Sequence, residues 1–189
     1  MRLFLAALVL SACGSPPPPE RPVEAEPLPA ELESSYENGV DFVDDPEILE
    51  GRWREQWADD LDRRVRTADL IYEVSVPTLR TDIDPEGRTT YRLIVEEAQK
   101  ILGTLPESLL LTVREDQGGY ASVSSNQTRI QRTPMVLFMK WALEDGQVRP
   151  RWHLAPASDG VMARVVYLAE RRRGVQRPSR GRVIVHEHE

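Results

Sequence analysis

The stretch DLIYEVSVPTLRTDIDPEGRTTYRLIVEEAQKIL, residues 69–102, decides how the chain is built. Its two ends, DLIYEVSVPTL and RTTYRLIVEEAQKIL, are rich in the β-branched and aromatic residues that suit a pleated, half-buried surface. RTDIDPEG between them supplies the Asp, Pro and Gly that favour chain reversal, so the pattern predicts a long hairpin. Toward the C-terminus, SLLLTVR (108–114) predicts a third strand, closed by Glu115, Asp116 and the pair Gly118-Gly119. After that pair, Tyr120 opens a polar stretch that reads as extended. PMVLFMKWAL (134–143) is an almost unbroken apolar strand suited to the core, and Asp145-Gly146 marks the turn behind it. VRPRWHL (148–154) and VMARVVYLA (161–169) read as further strands, and RVIVHE (182–187) as a candidate last one. Short strands with turn residues at their ends predict a mainly β fold, a small antiparallel barrel or sandwich. Roughly 120 residues are enough for one core without disulfides.

Upstream, VDDPEILEGRWREQWADDLDRRVRTADL (43–70) changes period from two to four. Asp45 is a natural N-cap, with Pro46 at the first helical position and Glu47 in the first turn, so a helix is predicted over 45–66. Ile48, Leu49, Trp53, Trp57, Leu61 and Val65 fall on one drifting face, with the charged residues elsewhere. Trp53 and Trp57 are expected to dock this helix on the domain body. The other reading is a partner-binding stripe, since tryptophan is a favoured interface anchor.

The chain begins with Arg2 and the apolar run Leu3–Leu10. That run falls well short of the about 20 residues that span a bilayer, but it has the length of a signal-peptide core. It ends in Leu10-Ser11-Ala12-Cys13, and Cys13 is the only cysteine of the 189 residues. This motif resembles the lipobox of bacterial lipoproteins. The resemblance implies cleavage of residues 1–12, lipid on Cys13, and, with Gly14-Ser15 following, sorting to the outer membrane. Its leaflet is open. One acyl chain holds only marginally and two or three hold firmly, at about 0.8 kcal/mol per buried methylene. Residues 14–35, with Pro16–Pro19, Pro22, Pro27, Pro29 and interspersed acids, predict an extended spacer, so 13–44 is expected to be a tether.

The strand order RTADLIYEVSV, TTYRLIVEEAQKILG, LLLTVRE and PMVLFMK resembles an extracellular bacterial β domain. Its OB-like barrel is similar to that of metalloprotease-inhibitor domains. The resemblance covers residues 65–170 and implies a barrel over 67–170. It carries no inhibitory residue across, because the stapling cysteines of the animal inhibitors are missing.

The net charge of −7 hides an asymmetry. Residues 14–62 hold fifteen acids and three bases, whereas 63–189 hold twenty bases and sixteen acids. The bases concentrate at Arg171, Arg172, Arg173, Arg177, Arg180 and Arg182, read as a solvated tail over 171–189 or one that meets the acidic segment, with binding of phosphates or anionic headgroups as the other reading. Nucleic acid is not expected as a partner. His186 and His188 share a strand face but lack the rest of a zinc motif, and His153 reads as structural. Asp82, Asp84 and Glu86 do not continue as a calcium loop. The serines of ASVSSNQT lack a nucleophile elbow, Asn126 heads a bare sequon, and no phosphate loop is present. No catalytic residue, metal site or cofactor is therefore expected.

The chain is accordingly expected to be a lipid-anchored envelope protein that binds a protein or glycan without catalysis. Candidate contacts are Trp53, Trp57, Arg171, Arg172 and Arg173. The alternatives are a hydrolase using Glu96, Glu97, Glu115 or Asp116, and an inhibitor-like or assembly component. Alternation along a strand sends Glu96 and Glu97 to opposite faces.

Overall fold

Strands β2 (Leu70–Ile83) and β3 (Thr89–Leu102) flank a turn at Asp84–Gly87, and Gly87 takes the left-handed φ of 82° that closes it. This computed structural model describes residues 25–106 and 109–176. Cys13, the spacer before residue 25, Arg177, Arg180, Arg182, the RVIVHE stretch, His186 and His188 lie outside the described residues.

The two long strands pair antiparallel from Ile83↔Thr89 to Ile71↔Leu102, with three register shifts on the way. The shift between Ser75 and Thr78 holds Pro77, whose missing N–H makes it unfit for a regular ladder. Each shift bends the ribbon and adds twist. β4 (Leu110–Arg114) pairs with β3, and β5 (Met135–Glu144) pairs with the first half of β2. A two-residue turn at Asp145-Gly146, φ 50° and 72°, sends β5 back into β6 (Gln147–Pro156). Left-handed values at both positions match the strands' own twist. β1 (Gly39–Val40) lies parallel to β6 and completes a six-stranded sheet in the order β1-β6-β5-β2-β3-β4.

Strand is the main regular structure, and this sheet curls into a half barrel. Leu70, Tyr72, Val74, Leu93, Leu111, Leu137 and Leu154 fill its inner side. Trp152, fully buried on β6, donates from Nε1 to the carbonyl of Thr112 on β4, 3.1 Å away. Three strands separate β6 from β4 in the order, so this bond spans the trough. Val136 and Phe138 face the other way and join a second core with α1 (Arg52–Thr67) and α4 (Asp159–Gln176). β5 is covered on both faces, hence its unbroken apolar sequence.

Several expectations need correction. VMARVVYLA is the first half of helix α4, not a strand. Val161, Val165, Leu168 and Ala169 are buried at helical spacing, and Ser158 Oγ accepts from the Val161 N–H at the entry. The polar stretch after Gly119 forms two short helices, α2 (Tyr120–Ser124) and α3 (Gln127–Arg132), which lower Val123 and Ile130 into the inner core. The helix expected over 45–66 divides into a 3-10 turn, Pro46–Ile48, and α1, with Gly51 at φ +51° between them. Residues 25–44 are not spacer: Leu32, Tyr36 and Val40 are buried, and Tyr36 donates to the carbonyl of Arg64. Arg171–Arg173 continue α4 rather than opening a tail.

Candidate functional site

Helices α1 and α4 lie side by side and run in the same direction. Trp57 and Ala58 share a groove with Gly160, Ala163 and Tyr167 at one end, while Arg172 reaches the last carbonyls of α1 at the other. The groove has a volume of about 420 Å³ and is roofed by the 46–48 turn. Local chemistry holds that turn in place. Asp45 Oδ1 accepts from the Glu47 N–H at 2.9 Å, an N-cap bond. Arg54, one turn into α1, folds back and donates from Nε to the Leu49 carbonyl at 2.8 Å and from Nη2 to that of Glu47. A second pocket, about 290 Å³, shares the Trp57 wall and is lined by Val43, Leu49, Trp53 and Gln56.

Large apolar side chains stand in water around this groove. Ile48 is 74% exposed, Trp53 63% and Tyr167 51%. Arg52 lies 5.4 Å from the centre of the Trp53 ring, and Arg171 lies 5.8 Å from that of Tyr167. A guanidinium on an aromatic face is held by the ring quadrupole and keeps its hydrogen-bonding edge for another molecule. Trp57 Nε1 is buried with no hydrogen-bond partner among the described residues.

The five residues singled out from sequence part company here. Trp53 does not dock α1 on the body, whereas Trp57 is half-buried and packs beside the second core. Arg171 joins the same face through Tyr167. Arg172 works for the fold: its Nη1 donates to the carbonyls of Val65 at 2.9 Å and Ala68 at 2.7 Å, satisfying the open end of α1. Arg173 turns back on its own helix toward the Ala169 carbonyl. Ile48 falls on the Trp53 face in the sequence without standing out as a contact, and Arg164 and Tyr167 escaped sequence reasoning. Helical spacing through 161–169 would have put Arg164 and Tyr167 one turn apart on the side away from Val161 and Val165.

The most enclosed polar group is Asp41–Arg64–His153. Arg64 Nη1 donates to Asp41 Oδ2 at 3.2 Å, and His153 Nε2 lies 3.1 Å from the same oxygen. An ionised carboxylate only accepts, so Nε2 carries the proton and Nδ1 is bare, without a partner. Burial, with the neighbouring Arg64 charge, pushes His153 down to about 4, so the ring is neutral at physiological pH. Burial favours protonation of Asp41, but the His153 hydrogen bond and the charge of Arg64 outweigh it and hold the carboxyl below its ordinary range. His153 is 3% exposed, whereas Asp41 and Arg64 line the second pocket, so the cluster meets that pocket through its carboxylate and guanidinium and not through the imidazole.

Most of the remaining candidates are occupied. Asp82 pairs with Arg92, while Asp84 and Glu86 pair with Arg88. Glu96 and Glu97 are both exposed on β3. Glu115 accepts from the Thr89 N–H, and Asp116 pairs with Arg114. Ser122 Oγ bridges the Val40 N–H and the Gly119 carbonyl, and Asn126 donates to the Ser122 carbonyl. Among the described residues no three His, Cys, Asp or Glu gather as metal ligands. No family model, curated protein or solved structure matches this chain.

Proposed function

We propose that this chain is a binding module of the bacterial cell envelope, held at a membrane by lipid on Cys13, which meets a protein partner on the α1–α4 face. One observation carries the reading. Ile48, Trp53 and Tyr167 stand exposed around a preformed groove while the protein fills two cores elsewhere. Exposed apolar side chains gathered at a groove, rimmed by charge, mark interaction sites, and tryptophan, tyrosine and arginine dominate interface hot spots. The half barrel is, in this reading, a rigid OB-like support and the helices are the contact surface. The buried Asp41–His153 pair acts as a structural tie.

The test is photo-crosslinking in intact cells from full-length protein carrying a photoreactive residue in place of Gln56. Wild-type protein should capture a defined partner. The double substitution Trp53→Ser, Tyr167→Ser should abolish capture while leaving the circular dichroism spectrum unchanged, because neither side chain is buried. Capture that survives the double substitution removes this face from the reading.

A further inference from the structure

A large cleft lies at the opposite end of α1. Residues 25–32 cross the outer side of the sheet as a strap, secured where the Leu143 N–H donates to the Glu26 carbonyl at 3.0 Å. Between strap, α1 and β5 opens a cleft of about 970 Å³. Pro27, Pro29, Leu32 and Trp141 give it apolar walls, and Arg66, Lys140 and Arg172 bring cations to it.

These cations keep unspent donors. Among the described residues Arg172 commits only Nη1, to the two carbonyls that end α1. Lys140 Nζ makes two long contacts, 3.3 Å to the Thr67 carbonyl and 3.5 Å to Asp69 Oδ1. Asp69 is better served elsewhere, since its Oδ2 accepts from the Trp141 N–H at 2.7 Å. Arg66 pairs through Nε with Asp62 at the rim, at 2.9 Å. The rim pair and exposed Glu26 are in water, where such charges are screened and contribute little. Among the residues that line the cleft, Arg66, Lys140 and Arg172 against Glu26 and Asp69 leave one positive charge in excess.

We propose that this cleft binds a singly charged oxyanion carried on an apolar body. The single excess charge matches a monoanion, and a dianion would be opposed by Asp69. The guanidinium fork of Arg172 fits the paired oxygens of a carboxylate or a phosphodiester. Trp141 and the strap prolines take the apolar part, as in sites where mostly apolar walls surround a few orienting polar groups. This site stands independently of the α1–α4 groove.

The experiment is titration of the ¹⁵N-labelled full chain, reading the Trp141 indole N–H resonance against those of Trp53, Trp57 and Trp152. Octanoate and dibutyl phosphate are the two monoanionic probes, octanamide the neutral isostere and inorganic phosphate the multiply charged control. A saturable shift confined to Trp141 is expected with at least one monoanion, and which one responds identifies the oxyanion as carboxylate or phosphodiester. Lys140→Met should weaken it by about tenfold or more, the size of one charge-assisted contact, and Lys140→Arg should restore it. The proposal is overturned if octanamide binds as well, if phosphate binds more tightly, if Lys140→Met changes nothing, or if no probe moves Trp141.

Discussion

His153 is an imidazole placed where it cannot take a proton without cost. Its ring lies beside the Arg64 guanidinium and shares Asp41 with it, inside the seam where β6, β1 and α1 meet. The folded protein therefore holds the ring neutral down to about pH 4, whereas the unfolded chain protonates it near the ordinary histidine value of about 6.5. Between those limits the unfolded state binds the extra proton, so stability is complete above about pH 6.5 and falls with pH. The expected loss down to pH 4 is about 3 kcal/mol. Asp41, whose carboxyl is also held low, adds its loss on further acidification. Urea unfolding at a series of pH values will read this slope. His153→Gln keeps a donor for Asp41 without a titrating ring and should flatten it across this interval.

At the scale of elements, the Gly118-Gly119 pair shows a backbone contact that no side-chain pattern announces. A Cβ on Gly119 would sit 2.3 Å from the carbonyl carbon and oxygen of Asn38, so β1 and the start of α2 touch main chain to main chain. Gly119→Ala should cost about 2–3 kcal/mol and lower Tm by about 5–10 °C in calorimetry. Gly118→Ala meets only the Glu37 side chain, which can swing aside, and should cost much less.

Such contacts also mark the boundary of what the sequence discloses. The hairpins were legible because β2 and β3 alternate and because Asp-Gly and Pro-Glu-Gly leave little choice of turn. Helix α4 was obscured by Val165-Val166-Tyr167, a run with strong strand preference that packing against α1 overrides. Helices α2 and α3, five and six residues long, bury one apolar residue each and have no period to detect. Residues 25–44 look like spacer because prolines and acids recur through them, while Leu32, Tyr36 and Val40, though four residues apart, fall on two 3-10 turns and a strand and not on one helix. Of the groove, Trp53 and Trp57 were visible from residue type and spacing. Tyr167 was not, since it became a neighbour of Trp57 only once α4 was a helix.

For the whole molecule, the two cores divide the labour. The inner one fills the half barrel, and the outer one mounts α1, α4 and the strap that frame both the groove and the cleft beneath the strap. Lipid on Cys13 would leave residues 14–24 as the link to the packed chain, a reach of at most about 40 Å when fully extended. The proposed anchor makes a direct prediction: Cys13→Ser should move the protein from the membrane pellet to the soluble fraction and abolish incorporation of labelled palmitate. A pellet-bound, unlabelled serine variant would sink the anchoring proposal. One earlier feature bears on where the proposed recognition would take place. The indole of Trp152 ties β6, the strand beside one margin, to β4 at the other, and buried apolar side chains fill the trough between them. On the proposed reading, contact residues of the helices and the strap can change one at a time without loosening the scaffold beneath.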